Sequence, residues 1–132
     1  MYHPKQRQLD TRLKKMFDTI DHDLEEEYGG TYALHPARPQ RGQTANPAAD
    51  GLFNIGVSFS PGYGSTYGRG YVVEVHIATL ENVPLAARQH IEDRAASLIR
   101  NYLPRFFPDR ELRLERENHA FKIIGDFSLG HT

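Results

Sequence analysis

The chain has 132 residues, 39% hydrophobic and 25% charged, which is the length and make-up of one ordinary globular domain. Sixteen basic against 17 acidic residues leave a net charge of −1, without the basic excess by which nucleic-acid binding usually announces itself, so a nucleic-acid partner is not expected. The absence of cysteine removes disulfides, thiolate metal sites and a cysteine nucleophile together.

No apolar run approaches the ~20 residues needed to span a bilayer, so no membrane association is expected. The N-terminal MYHPKQRQLD has no hydrophobic signal core, and the expected location is cytoplasmic.

The first predicted element is a helix over 5–28. Leu9, Leu13, Met16, Phe17, Ile20 and Leu24 recur at spacings of three and four and form one apolar stripe. Gly29-Gly30 supplies a stop. Glu25-Glu26-Glu27 lies where the helix dipole prefers cations, and these acids are expected to be solvated, the alternative being a pair with a basic group elsewhere. Residues 35–51, with three prolines, two glycines and no periodicity, read as a long internal loop, disordered in part, within a single domain spanning 1–132.

Two alternating segments follow. LFNIGVSFS (52–60) places Phe53, Ile55, Val57 and Phe59 on one face, and YVVEVHIAT (71–79) does the same with Tyr71, Val73, Val75 and Ile77. A hairpin that keeps like faces together can match Phe59 with Val73 and Val57 with Val75, which sets Gly56 opposite His76. A second helix begins near Pro84, carries Ala87, Ile91, Ala95, Leu98, Ile99 and Tyr102 along one side, and is expected to close at Pro104 and Pro108. ELRLERE (111–117) and AFKIIGDF (120–127) form a last hairpin, with Leu114 opposite Ile123 inside and Glu115 opposite Lys122 outside. Asn118-His119 supplies its turn, since both residues tolerate positive φ.

The order α-β-β-α-β-β predicts an α+β two-layer sandwich, a four-stranded, mostly antiparallel sheet with both helices on one face. The other face would present Ser58, Glu74, His76, Arg113, Lys122 and Ile124. That mixture suits water or a moderately polar protein interface.

Three stretches carry candidate chemistry. The loop SPGYGSTYGRG (60–70) holds four glycines and two tyrosines between strands. It lacks the following helix of a phosphate loop; the strand after it, Tyr71–Thr79, has no lysine as a kinase hairpin needs, and the chain is too short for the rest of a kinase. What it offers is the hydroxyls of Ser65 and Thr66, the cation of Arg69, and the rings of Tyr63 and Tyr67 as stacking walls. Glu74 and His76 share a strand face and could exchange a proton or ligate a metal; on a half-exposed sheet they are also ordinary outward polar residues. Asp18, His22 and Glu25 or Glu26 neighbour one another on the first helix without a metal-binding signature, as a solvated face would.

The leading expectation is a non-enzymatic binding or assembly module using the open sheet face or loop 60–70, as a homo-oligomer or with a protein partner. The alternatives are a small-ligand or anion-binding protein with loop 60–70 as its site, and an enzyme using Glu74 and His76. The sequence leans away from an enzyme, because no nucleophile or complete metal set can be assembled, and it implies no cofactor.

Overall fold

A computed structural model describes residues 4–46, 50–61, 68–117 and 120–125. The elements run α1 (Pro4–Tyr28), β1 (Phe53–Ser60), β2 (Gly70–Ile77), α2 (Leu85–Phe106), β3 (Leu112–Glu117) and β4 (Ala120–Gly125). The four strands form one antiparallel sheet in the order β1-β2-β4-β3. This is the α+β two-layer arrangement that the alternating and helical patterns predict.

The α1 stripe is fully used. Leu9, Leu13, Met16, Phe17, Ile20 and Leu24 are all buried, against Phe53, Ile55, Tyr71 and Val73 of the sheet. Each such side chain contributes roughly 1.5–3 kcal/mol by leaving water. In α2 the buried residues are Ile91, Ala95, Ala96, Leu98, Ile99 and Leu103. Pro104 does not close α2, which continues to Phe106 with the proline inside its last turn. The Phe107 N–H then bonds the Leu103 carbonyl at 2.9 Å, so the final turn closes around the missing proline donor.

Polar contacts tie the helices at both ends. Arg12 meets Asp109 at 2.8 Å and stacks over the Phe107 ring, while Arg94 meets Glu27 at 2.8 Å. The Tyr102 hydroxyl donates to Asp23 at 2.5 Å, and that bond is the main reason its pKa lies above the ordinary tyrosine value. Of the Glu25-Glu26-Glu27 run, Glu26 and Glu27 are exposed as expected, each beside a basic group, and Glu25 is the one drawn into the structure. Glu26 faces His22 at 3.3 Å, Glu27 faces Arg94, and both Glu25 oxygens accept the Leu52 N–H at 3.1 Å.

The β1–β2 hairpin has the expected facing but a register shifted by two residues. Phe59 pairs with Tyr71, Val57 with Val73 and Ile55 with Val75, while Gly56 lies opposite Glu74 and Asn54 opposite His76. Alternation fixes which face a residue takes but not which of several equal-parity partners it meets. The observed register sets Phe53 opposite Ile77 and extends the ladder to Ser60 and Gly70. The β3–β4 hairpin has the expected register, Leu114 with Ile123 and Glu115 with Lys122. Its expected turn residues, Asn118 and His119, lie outside the described residues.

The outer face departs from expectation at β4, where Lys122 and Ile124 are 2% and 4% exposed. The backbone at the start of β2 supplies part of the cover. The Lys122 ammonium donates to the Gly68 carbonyl, and Gly70 lies directly on β4. A Cβ at Gly70 would stand 2.3 Å from the Ile123 carbonyl oxygen and 3.1 Å from the Ile124 side chain. Replacing Gly70 by alanine should therefore destabilise the fold by roughly 1–3 kcal/mol, through forced displacement of β4. Gly56→Ala, whose Cβ would meet nothing nearer than 4.0 Å, should stay within about 0.5 kcal/mol of wild type. Equal urea midpoints for the two variants would contradict this account of the β2–β4 junction.

Candidate functional site: a cleft between α1 and the edge strand

The segment between α1 and β1 is held by buried polar groups. Arg38 donates to three carbonyls, Gly51 at 3.0 Å, Asp50 at 3.1 Å and Phe53 at 2.9 Å. The Asp50 carboxylate, 1% exposed, accepts from the Gly42 and Thr44 N–H groups at 3.2 and 3.1 Å and from the Thr44 hydroxyl at 2.9 Å. Burial alone would push the Asp50 pKa up. The Thr44 and Gly42 hydrogen bonds and the Arg41 charge outweigh it and hold the pKa below the ordinary carboxylate value. Gly51, at φ 72°, brings the backbone under the Glu25 carboxylate, where a Cβ would lie within 2.9 Å of it.

This anchoring carries Arg41 to α1. Its guanidinium bonds Asp21 Oδ1 at 2.7 Å and reaches Asp50 at 3.4 Å. Asp21 is 2% exposed, and its second oxygen, Oδ2, has no hydrogen-bond partner among the described residues. Burial raises the Asp21 pKa from 3.8 to about 7; the charges of Glu25 and Asp18 push the same way, and Arg41 opposes them. Arg41 can donate to Oδ1 in either protonation state, so the titrating proton belongs on Oδ2.

Asp21 lines a cleft of about 320 Å³ between α1 and the sheet. From α1 come Asp10, Leu13, Lys14, Phe17, Asp18 and Asp21; Asn46, Ile55, Val57 and Tyr71 complete the wall. Lys14 bridges Asp18 and Asn46 at 2.7 Å each, and the Tyr71 hydroxyl donates to Asp10 at 3.3 Å. The floor is apolar and the helix side is acidic. β1 is an edge strand, and beyond the cleft its Phe59, expected inside, is 54% exposed with an edge-to-face contact to Tyr71.

The residues singled out from sequence are distributed differently. Glu74 and His76 come together at 3.3 Å, each side chain 59% exposed, beside Arg88 and Glu92 in a shallow recess of about 230 Å³. His76 stands opposite Asn54 rather than Gly56, so the space expected beside its ring is not supplied by that glycine. Arg69 is exposed at the foot of β2. Tyr63, Ser65, Thr66 and Tyr67 lie outside the described residues. Asp18 bonds Lys14 and His22 faces Glu26, and no cluster of three metal-ligating side chains occurs among the described residues. Asp21 itself lies four residues after Phe17 and three before Leu24, on the flank of the apolar stripe. That placement is the signal in the sequence that marks it as a buried acid.

Comparison with known proteins gives a family without an assigned activity. A family described as "Uncharacterised protein" matches residues 4–125, and the chain belongs to it. An uncharacterized protein of Borreliella burgdorferi is 40% identical over 108 residues, covering 82% of this chain and 84% of the relative. No solved structure matches the chain. No helix among the described residues is long and apolar enough to cross a membrane.

The raised Asp21 pKa has a definite consequence for stability. Between the unfolded value of 3.8 and the folded value of about 7, the native state holds the extra proton. The Asp21 contribution is therefore fully present below pH 4 and is lost as pH rises through 7. Relative to Asp21→Asn, wild type should lose roughly 2–4 kcal/mol between pH 4 and pH 8, read from urea unfolding at each pH. Parallel stability profiles for the two proteins would show that Asp21 titrates normally.

Proposed function

We propose that the protein is a small-ligand-binding module whose site is the cleft between α1 and β1. The observation that carries this reading is the Asp21 carboxyl group, buried at the cleft wall with Oδ2 unpartnered. Leaving a buried polar atom without a hydrogen bond costs about 1–3 kcal/mol, more when it is charged. Such an atom calls for a partner, and a ligand entering the cleft would supply one.

The surroundings support the same reading. The cleft lies within the size range of small-molecule sites, which pair an apolar lining with a few convergent polar groups. Leu13, Phe17, Ile55 and Val57 supply the apolar part, and Asp10, Asp18, Asp21 and Asn46 the polar part. The site is rigidly backed, because Arg41 is held by Asp50 and Asp50 by the Thr44 and Gly42 backbone.

The reading is of a binding protein rather than an enzyme. A titratable acid stands at the wall, with no nucleophile beside it among the lining residues. The Glu74–His76 pair lies in water, where a paired acid and imidazole gain little from each other.

Fragment screening by amide NMR tests the proposal. Ligands should cluster their shifts on the amides of Asp10–Asp21 and Ile55–Val57, and Val57→Trp, which fills the cleft, should abolish them while the protein stays folded. A chemically diverse set that leaves these amides unmoved at millimolar concentration would contradict the assignment.

A further inference from the structure

The charge of the cleft narrows the ligand class. Asp10, Asp18 and Asp21 are set against two cations that are both engaged, Lys14 by Asp18 and Asn46 and Arg41 by Asp21 and Asp50. Anions are therefore repelled from the lining, while a cation finds acceptors. Asp21 Oδ2 is buried and has no hydrogen-bond partner among the described residues, so a ligand donor that reached it would break no bond of the protein. Asp18 stands one turn before it on the same helix, close enough to add a second carboxylate. The rest of the lining is hydrocarbon, Leu13 and Phe17 from α1 and Ile55 and Val57 from β1.

Resting on the reading of the cleft as a binding site, we infer that its ligand is a small organic amine, with the ammonium group against Asp21 Oδ2 and the apolar body along Leu13, Phe17, Ile55 and Val57. In the complex the Asp21 carboxylate bridges two cations, Arg41 at Oδ1 and the ligand at Oδ2. The arrangement relieves the unsatisfied oxygen and pairs the buried charge in one step.

Binding of this kind is linked to pH. The charges acting on Asp21 are Asp18 and Glu25 on its own helix and Arg41 on the segment before β1; Asp10, Lys14 and the Tyr71 hydroxyl of the sheet are the other titratable groups that line the cleft. Burial, Glu25 and Asp18 keep a fraction of Asp21 protonated near neutrality, and Arg41 acts against them. An ammonium ligand binds the ionised form, so its uptake releases a proton from Asp21 and strengthens as pH rises.

The test uses three probes of one carbon skeleton, phenylbutylamine, phenylbutanol and phenylbutyrate, titrated into the whole protein and followed on the cleft amides. The amine should bind most tightly, and roughly tenfold more tightly at pH 8 than at pH 6. Asp21→Asn should remove that pH dependence and most of the amine's advantage. The alcohol's unchanged affinity for the variant would confirm that its cleft is intact. Alcohol or butyrate binding in the cleft at least as tightly as the amine would overturn the inference and leave the cleft as a binding site. None of the three perturbing the cleft would overturn both. Amine binding in Asp21→Asn with the wild-type pH profile would remove Asp21 from the site.

Discussion

Burial of the Asp50 carboxylate is the interaction on which the arrangement of this molecule turns. A carboxylate that is 1% exposed survives in a protein interior only when several donors converge on it. Here the donors are the Gly42 and Thr44 backbone, the Thr44 hydroxyl and Arg41. Satisfying Asp50 folds the segment between α1 and β1 back on itself, and Arg38 and Glu25 fasten the same segment to backbone groups at Gly51, Leu52 and Phe53. The result is a fixed approach to β1 and a guanidinium held against α1.

Asp21 is where that arrangement is unequal. Asp50 receives enough hydrogen bonds to remain ionised despite burial, whereas Asp21 receives one charged donor on one oxygen and none on the other. The two carboxylates share Arg41 and respond to pH in opposite directions. Asp50 contributes stability that is lost in acid, and Asp21 contributes stability that is lost as pH rises toward neutrality. One structural acid and one titrating acid, separated by a single guanidinium, make the cleft wall responsive to protonation without a metal or a histidine.

The layers of this account differed in how far they could be read from sequence. The α1 stripe, the α2 face and the β3–β4 register were legible because each rests on local periodicity, and Leu114 meets Ile123 as the two-residue spacing between those strands requires. The β1–β2 register was not legible, since Phe59 can face Tyr71 or Val73 without changing any side chain's face. The burial of Lys122 was hidden as well, because it depends on the Gly68 carbonyl reaching across from a distant segment. The cleft was missed for the same reason. Asp21, Arg41 and Asp50 are spread over 30 residues, and their meeting follows from long-range hydrogen bonds that no period of two or three-and-a-half announces. A polar residue that looks solvated in a sequence, such as Glu25, changes meaning once a loop packs against it.

The central claim is that Asp21 holds a proton near neutrality because it is buried with one oxygen unpaired. A carbon-detected NMR titration of the aspartate carboxyl resonances addresses it most directly. The Asp21 resonance should show its inflection at about pH 7, with that of Asp50 below the ordinary aspartate value. An Asp21 inflection near pH 4 would mean that the carboxylate is already satisfied in the free protein, and the case for the cleft as a ligand site would lose its basis.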